Sequence, residues 1–206
     1  MNIGMIEKML HLSSKIRTRL FTLLLTSQFK EIGASSRIVP PFRFYGLNQI
    51  SVGENVMINR DCWIHTIPDN KHDVDGAKLI IGSHVSIGMG SHISAAKHVM
   101  IGDYVLIAPN VFIQDISHAF ERTDVPIIRQ GISRMAPVVI GRGTWLGHNV
   151  VVLPGVTIGQ HCVVGANSVV NSSIPDFCVA VGAPARVVKR YVPETRQWVK
   201  VCQKKL

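Results

Sequence analysis

His118, at the start of a long irregular segment, is the residue best placed for chemistry in this sequence. The segment, 118–137, contains Pro126 and Gly131 and interrupts an otherwise regular pattern. His118 is therefore expected to face outward beside a loop that can shape a pocket. An exposed imidazole exchanges protons near neutral pH and can serve as a general base. Asp115, three residues earlier, is a candidate for orienting the ring. An ordinary corner residue is the alternative interpretation of His118.

The four cysteines, at positions 62, 162, 178 and 202, show neither C-x-x-C nor metal-ligand spacing. Cys162 falls in an inward position of the repeat described next, where a thiol acts as a small hydrophobic group. Free thiols in a reducing cytoplasm are the simpler interpretation. No cysteine or serine is paired with a base in a way that predicts a covalent intermediate.

A six-residue repeat predicts the scaffold that must position His118. Between 140 and 174 an aliphatic residue recurs every sixth position, and a small or β-branched residue follows each one four positions later. The six aliphatic residues are Ile140, Leu146, Val152, Ile158, Val164 and Val170. Neither the period of a helix nor that of a single strand fits, whereas a short strand followed by a corner does. The repeat predicts an all-β main domain with the fold of a parallel β-helix.

The same register continues upstream with two interruptions. It begins near Val52, breaks at an insertion over 66–78, resumes at Ile81 and reaches the Ile113 repeat before the segment 118–137. Since three repeats make one triangular turn, we expect about five coils, roughly 24 Å long at ~4.8 Å per coil. Long loops that interrupt a rigid scaffold are usually functional.

Short helices are expected at both ends of the chain. Residues 1–32 carry apolar side chains at spacings of three and four. This stripe consists of Met5, Met9, Leu12, Ile16, Leu20 and Leu23. The helix either rests on anionic lipid or packs on the end or flank of the β-helix. A short basic helix is predicted at the C-terminus. The sequence is therefore expected to divide into an N-terminal helical segment (1–35), the β-helix domain (36–190) and a C-terminal basic helix (191–206).

The positive charge of +9 is concentrated at the two ends of the sequence. Residues 1–37 hold six basic and two acidic residues, and 186–206 hold seven and one, whereas 38–185 are close to neutral. A nucleic-acid-binding protein would carry its basic stripe on the folded body, so no nucleic acid is expected. Basic ends suit an anionic membrane face or cofactor. The apolar run 20–26 is far shorter than the ~18 residues that a membrane span needs, and no signal-peptide cleavage site follows it. The protein is therefore expected to be cytoplasmic. A position at the inner face of the membrane is the alternative.

Several motifs together resemble those of the hexapeptide-repeat acetyltransferases, and the galactoside, maltose and polysaccharide O-acetyltransferases are the most similar branch. The motifs lie at residues 101–111, 118, 144–147, 154–159, 165–170 and 182–185. The resemblance spans roughly 50–190. It implies a left-handed parallel β-helix, a homotrimer with active sites between subunits, and acetyl-CoA as acyl donor without a metal. It also implies that His118 takes the proton from an acceptor hydroxyl.

Further site residues are implied by the same resemblance. Trp145 matches the tryptophan that lines the acceptor cleft. Positions along the cofactor are matched by His148, Ala166, Ser168, Ala183, Arg186 and Lys189, of which the last two lie where the family binds nucleotide phosphates. Residues 170–173 read Val-Asn-Ser-Ser in place of the family's Val-Thr-Lys-Asp, so a cofactor-side lysine is missing. Gly88 stands near the position of an asparagine in galactoside-type enzymes, which favours a different acceptor sugar.

The predicted function is an acetyl-CoA-dependent O-acetyltransferase that acts on a sugar hydroxyl in cell-surface polysaccharide biosynthesis, such as that of capsule, O-antigen or exopolysaccharide. Direct attack in a ternary complex is the expected route. The alternative acceptor is the amine of an amino or nucleotide sugar, which would make the protein an N-acetyltransferase.

Two other functions are known on this fold. A γ-type carbonic anhydrase would hold zinc with three histidines. The candidate ligands are His84, His92, His98 and His118, but the family's spacing of five between paired histidines is absent. A non-catalytic scaffold would lose the loop histidine and the tryptophan, whereas this sequence retains His118, Trp145 and the 182–185 motif.

Overall fold

Three parallel sheets form the sides of a triangular β-helix in a computed structural model that describes residues 3–67 and 78–201. Most of the predicted insertion at 66–78 lies outside the described residues. The N-terminal helix is α1, Ile3–Thr26, and two short 3-10 helices cover Leu47–Gln49 and Ile127–Arg129. No helix in the described part of the chain is both long enough and apolar enough to cross a membrane.

The strands are short and evenly spaced, as the repeat predicts. Those before residue 68 are β1 (Glu31–Ile32), β2 (Arg37–Ile38), β3 (Arg43–Tyr45), β4 (Ile50–Val52), β5 (Met57–Ile58) and β6 (Trp63–Thr66). The next group is β7 (Leu79–Ile81), β8 (Ser86–Ile87), β9 (His92–Ala95), β10 (Val99–Ile101), β11 (Leu106–Ile107), β12 (Phe112–Gln114), β13 (Ile116–His118) and β14 (Ile132–Met135). The last group is β15 (Val138–Ile140), β16 (Trp145–Leu146), β17 (Val151–Val152), β18 (Thr157–Ile158), β19 (Val163–Val164), β20 (Val169–Val170), β21 (Cys178–Val181), β22 (Arg186–Val192) and β23 (Gln197–Lys200).

Each coil adds one strand to each of the three sheets. Sheet A contains β1, β4, β7, β10, β15 and β18, and sheet C contains β3, β6, β9, β12, β17 and β20. Sheet B contains β2, β5, β8, β11, β16 and β19, and continues into β21, β22 and β23. The described residues thus form six full coils rather than about five. The additional coil lies at 31–45, where Ile32, Ile38 and Phe44 keep the six-residue spacing ahead of Val52.

The predicted inward positions are confirmed as the core. Those from Val52 to Ile174 are all at most 5 % exposed, because each aliphatic residue stacks on its equivalent in the next coil. Ile101, for example, is in register with Ile81 on one side and Ile140 on the other. The glycine that follows the aliphatic position allows this stacking. A Cβ on Gly141 would lie 2.5 Å from the backbone of the next coil, which is too close for any side chain.

Helix α1 packs on the flank of the β-helix, but not through its predicted apolar stripe. The buried side chains are Thr18, Thr22 and Leu25, which recur at spacings of four and three on one side of the helix. The Thr22 hydroxyl donates a hydrogen bond to the Thr18 carbonyl at 2.8 Å and accepts one from the Ile38 backbone N–H at 2.9 Å. Helix α1 therefore supplies a hydrogen-bond acceptor for a backbone N–H of the first coil. The predicted apolar stripe stays exposed.

The predicted C-terminal helix is wrong over the described residues 193–201. The chain forms an antiparallel hairpin there, in which β22 and β23 extend sheet B. Pro193 begins the turn between the two strands, with Arg196 donating its backbone N–H to the Pro193 carbonyl. Tyr191 and Trp198 form a cross-strand aromatic pair at 5.6 Å, the kind of contact that stabilises a hairpin. Residues 202–206 lie outside the described part of the chain.

Candidate active site

His118 lies on a two-stranded arm that leaves the β-helix at the corner between sheets C and A. Strands β13 and β14 form the arm, and a β-bulge interrupts their pairing between Ser117 and His118. Ser133 donates its hydroxyl to the His118 carbonyl, and the Ala119 N–H bonds to the Gly131 carbonyl. These bonds hold the backbone of His118, while its side chain is exposed. The outward position expected for the imidazole is confirmed.

Asp115 does not orient His118 in this structure. Its carboxylate is fully buried and accepts hydrogen bonds from the backbone N–H groups of Ala96, Lys97 and His98, at 2.8, 2.7 and 2.7 Å. The predicted orienting role is therefore wrong, because the carboxylate is turned into the neighbouring coil. Asp115 instead fixes the backbone at the base of the arm, where its own carbonyl accepts the N–H of Ala136.

A cavity of about 350 Å³ opens beside His118 on the outer face of sheet C. Its wall is built from residues on three successive coils and on the arm. The polar and aromatic lining consists of Trp63, His65, His92, Ser94, Gln114, Ser117 and His118. Trp63 and His92 are in register and stack with ring centroids 4.4 Å apart, and Trp63 is still 44 % exposed. An exposed aromatic face of this kind can bind the apolar face of a sugar ring.

The imidazoles of His65 and His92 are held neutral in the wall of this cavity. Burial lowers the pKa of His65, and burial together with the nearby His65 lowers the pKa of His92. The Nδ1 atom of His65 and the Nε2 atom of His92 are buried without a hydrogen-bond partner, while the other ring nitrogen of His65 lies 3.2 Å from the Ser94 hydroxyl. Because these two nitrogens are closed to solvent, a ligand could bond to them only after the neighbouring side chains move.

The depressed pKa of His65 predicts that folding stability falls in mild acid. Below the ordinary value of 6.5, the unfolded chain takes up a proton that the folded chain resists, so stability is complete above that pH and is lost as the pH falls through the lower folded pKa. We expect Tm to fall as the pH is lowered from neutrality through the ordinary histidine value of 6.5, and to fall less in His65→Gln. Thermal unfolding across this range measures the difference, and parallel Tm curves for the two proteins would contradict it.

Trp63 and His65 were not predicted from the sequence as site residues, and His92 was a candidate only as a metal ligand. The six-residue register could have identified them, because Trp63 and His65 flank the inward Ile64 and His92 precedes the inward Ile93. All three therefore lie on the outer face of sheet C, the sheet that leads to the His118 arm. Residues adjacent to inward positions of one sheet form a continuous outer surface. Among the described residues, no three His, Cys, Asp or Glu side chains are grouped to hold a metal ion. His84 instead stacks on Tyr104 at the corner between sheets A and B.

The residues matched to the cofactor lie elsewhere on the β-helix. Trp145, which was matched to the acceptor cleft, does not line the cavity beside His118 either, and is 47 % exposed on sheet B. His148 and Ala166 are exposed on consecutive coils at the corner between sheets B and C, where the N–H of Asn167 bonds to the His148 carbonyl. Ala183 is exposed in the following turn. The structure brings these three small or polar residues into one row, but on a different side of the chain from His118.

Ser168 is an exception among the residues matched to the cofactor. Its side chain is fully buried, and its hydroxyl accepts a hydrogen bond from the Gly182 N–H at 3.0 Å. A direct contact of this side chain with a ligand is ruled out, because position 168 belongs to the inward set of the repeat. Arg186 and Lys189 are both exposed on β22, and Arg186 also donates to the Ala185 carbonyl.

The buried cysteines behave as core residues. Cys62, Cys162 and Cys178 are free and buried, and burial raises the pKa of the first two to about 11 and that of Cys178 in the same direction. The thiolate is the nucleophilic form of cysteine, so these three thiols are poor nucleophiles at neutral pH. Cys202 lies outside the described residues.

Comparison with known proteins agrees with this architecture. A model of the bacterial transferase hexapeptide repeats matches residues 137–172. The chain is 41 % identical over 128 residues to a putative lipopolysaccharide biosynthesis O-acetyl transferase of Escherichia coli K12, with 59 % of this chain and 65 % of that protein covered. It spans between 42 % and 65 % of the length of the first curated relatives it matches.

Two solved structures share the fold. One is a maltose O-acetyltransferase from Clostridium difficile 630, at 30 % identity and a TM-score of 0.56, with 81 % of this chain and 72 % of that chain covered. The other is an N-acyltransferase from Bacillus cereus in complex with dTDP and coenzyme A, at 22 % identity and a TM-score of 0.69, with 84 % and 89 % covered.

The three-sided coil of six-residue repeats, with a histidine-bearing arm at one corner, defines a hexapeptide-repeat β-helix protein. The chain belongs to the hexapeptide-repeat transferase family, and its fold is the left-handed parallel β-helix of that family.

Proposed function

We propose that the protein transfers the acetyl group of acetyl-CoA to a hydroxyl of a saccharide. The observation that carries this proposal is the exposed imidazole of His118 beside a cavity lined by Trp63, His65 and His92. The cavity supplies the aromatic face of Trp63 and the polar side chain of Gln114, which together suit a sugar ring and its hydroxyl groups. Named relatives include O-acetyltransferases, which agrees with this acceptor class.

In the proposed reaction His118 acts as the general base. As the imidazole takes the proton from the acceptor hydroxyl, the oxygen attacks the thioester carbonyl carbon and forms a tetrahedral intermediate. Collapse of this intermediate breaks the carbon–sulfur bond, and the leaving thiolate of CoA recovers the proton from the imidazolium. The products are the acetyl ester and CoA. Direct transfer needs no enzyme nucleophile, and the buried thiols of Cys62 and Cys162 agree with such a route.

The complete site would lie between two copies of the chain in a homotrimer. His118 lies at the corner between sheets C and A, whereas Trp145, His148 and Ala166 lie on sheet B and its corner with sheet C. A cyclic trimer places unlike faces of neighbouring subunits against each other, which would bring the His118 arm of one subunit to the cofactor row of the next. Exposed Arg186 and Lys189 would then be available to the phosphates of CoA.

We place this reaction in the cytoplasm, within the assembly of cell-surface polysaccharide. Support for the pathway comes from the named role of the Escherichia coli relative in lipopolysaccharide biosynthesis. Support for the compartment comes from three free cysteines among the described residues, since structural thiols persist in a reducing environment.

An acceptor screen tests the proposed activity. Purified protein is incubated with acetyl-CoA and a panel of free, nucleotide-linked and lipid-linked saccharides, with amino sugars included, and CoA release is measured. We expect acceptor-dependent release with a hydroxyl acceptor. Replacement of Trp63 by alanine should raise the acceptor KM about tenfold or more, because the stacking face of the cavity is lost.

Trp198→Ala is the matched control, since Trp198 is also about half exposed, at 43 %, but lies on β23. It should leave the acceptor KM unchanged. If CoA were released only with amino sugars, the proposed O-acetyltransferase activity would be wrong and the protein would be an N-acetyltransferase. An unchanged acceptor KM in Trp63→Ala would place the acceptor outside the cavity on sheet C.

A further inference from the structure

Helix α1 exposes a long apolar surface that the rest of the described chain leaves uncovered. Its members are Met5, Met9, Leu12, Ile16, Leu20, Leu23 and Leu24, which are between 50 % and 76 % exposed. We name this set the apolar stripe of α1. From Met5 to Leu24 it extends for about 29 Å along the helix. Scattered exposed leucines are common on protein surfaces, but a continuous apolar surface of this length marks an interaction site.

The attachment of α1 to the β-helix holds the stripe away from the protein. Thr18, Thr22 and Leu25 form the buried side of the helix, and the hydrogen bond from the Ile38 N–H to the Thr22 hydroxyl fixes that side against β2. The stripe lies on the opposite side, because at about 100° per residue its members fall roughly 120–240° around the helix axis from Thr18. The rigid β-helix thus presents the stripe outward, except where Leu12 and Ile16 border a crevice between α1 and sheet B.

Cations line the stripe on both sides. Lys8, Lys15 and Arg19 lie along one flank of the helix and Arg17 along the other, and all four are exposed. Arg37 on β2 joins Arg19 beside the helix, where both border the same two crevices. Helix α1 itself contains one acidic residue, Glu7. An apolar strip with a row of three cations on one flank and a single arginine on the other has the charge and polarity of a helix that lies in the headgroup region of an anionic bilayer.

We propose that α1 attaches the protein to the surface of an anionic lipid bilayer, with the stripe among the acyl chains and the flanking cations at the lipid phosphates. The helix would lie parallel to the surface, since it is not apolar enough to cross a membrane. Contact between copies of the chain through the same stripe is less favoured, because it would bring the flanking cations of neighbouring helices together. The proposal is independent of the acetyltransferase activity.

Vesicle flotation of the full chain tests the proposal. We expect binding to mixed phosphatidylglycerol–phosphatidylcholine vesicles that weakens with added salt, and little binding to phosphatidylcholine alone. Leu20→Glu should lower the partition coefficient about tenfold or more, since it puts a charge in the stripe. Lys15→Gln and Arg19→Gln should each lower it roughly fivefold.

Val199→Glu is the matched control, because Val199 is a similarly exposed apolar residue on β23 that lies outside α1. It should bind vesicles as the unmodified protein does. Absence of binding to anionic vesicles, or equal binding by Leu20→Glu, would overturn the proposal. A smaller assembly of Leu20→Glu in analytical ultracentrifugation, with no vesicle binding by either protein, would show that a second copy covers the stripe and would equally overturn it.

Discussion

Replacement of His118 by alanine is expected to lower turnover by about 10²–10⁴-fold, the usual cost of removing a general base. The side chain is exposed on the arm and the β13–β14 pairing holds its backbone, so the substitution should leave the fold intact. Binding of CoA should also be retained, because the residues matched to the cofactor lie on other corners of the β-helix. Steady-state rates and calorimetric titration with CoA measure the two effects separately.

His11→Ala is a matched control for this substitution, since His11 is an exposed histidine on α1. Its rate should equal that of the unmodified protein. Co-expression of His118→Ala with Trp145→Ala tests whether neighbouring subunits share a site. If they do, random mixing of the two variants restores both residues at about a quarter of all sites, and activity returns to that level. A near-normal rate for His118→Ala alone would remove the histidine from the mechanism.

The β-helix core was predictable because a six-residue period leaves little freedom. Once each repeat contributes one aliphatic side chain to a common axis, the partners of Ile107 are the residues one coil before and after it, Ile87 and Leu146. The stacking of coils also explains why glycine follows many of the inward aliphatic residues, since the backbone of the next coil occupies the space that a side chain would need. The coil at 31–45 was missed because Ile32 falls within the segment 1–32 that was predicted as helix, and because two prolines interrupt the strand pattern at 40–41.

The two ends of the chain were harder to predict, because tertiary contacts decide between structures that the local pattern permits. The apolar stripe of α1 suggested the packed side, yet the buried side is built around Thr18 and Thr22, which no hydrophobic pattern identifies. At the C-terminus, basic residues after Pro193 suggested a helix. Sheet B offered an edge instead, and β-prone Tyr191 and Trp198 pair on it.

The candidate site was only partly predictable for a similar reason. His118 could be identified because it begins an interruption of the repeat. The cavity beside it joins Trp63, His65 and His92 from coils that are separated by the insertion after β6, so their proximity depends on the register across that insertion. The sequence neighbour of His118, Asp115, was assigned to catalysis by its spacing alone, whereas burial assigns it to the fold.

The stability of the arm's base should depend strongly on Asp115. In Asp115→Ala the backbone N–H groups of residues 96, 97 and 98 lose a charged acceptor inside the protein. Unpaired buried donors are costly, and we expect a loss of about 3–5 kcal/mol in the free energy of unfolding. For a chain of this size such a loss corresponds to a decrease in Tm of roughly 10 °C. Thermal and denaturant unfolding measure it.

Asp103→Ala provides a graded control, because the Asp103 carboxylate lies at a corner of the same coil and accepts one bond, from the Ser83 N–H at 2.8 Å. Loss of one partly exposed hydrogen bond should cost only about 1 kcal/mol. The ratio of the two effects therefore tests whether the number of satisfied backbone donors determines the contribution of Asp115. An Asp115→Ala protein with normal unfolding but the activity loss of His118→Ala would return Asp115 to the catalytic machinery, because only a role in orienting the imidazole would then explain the defect.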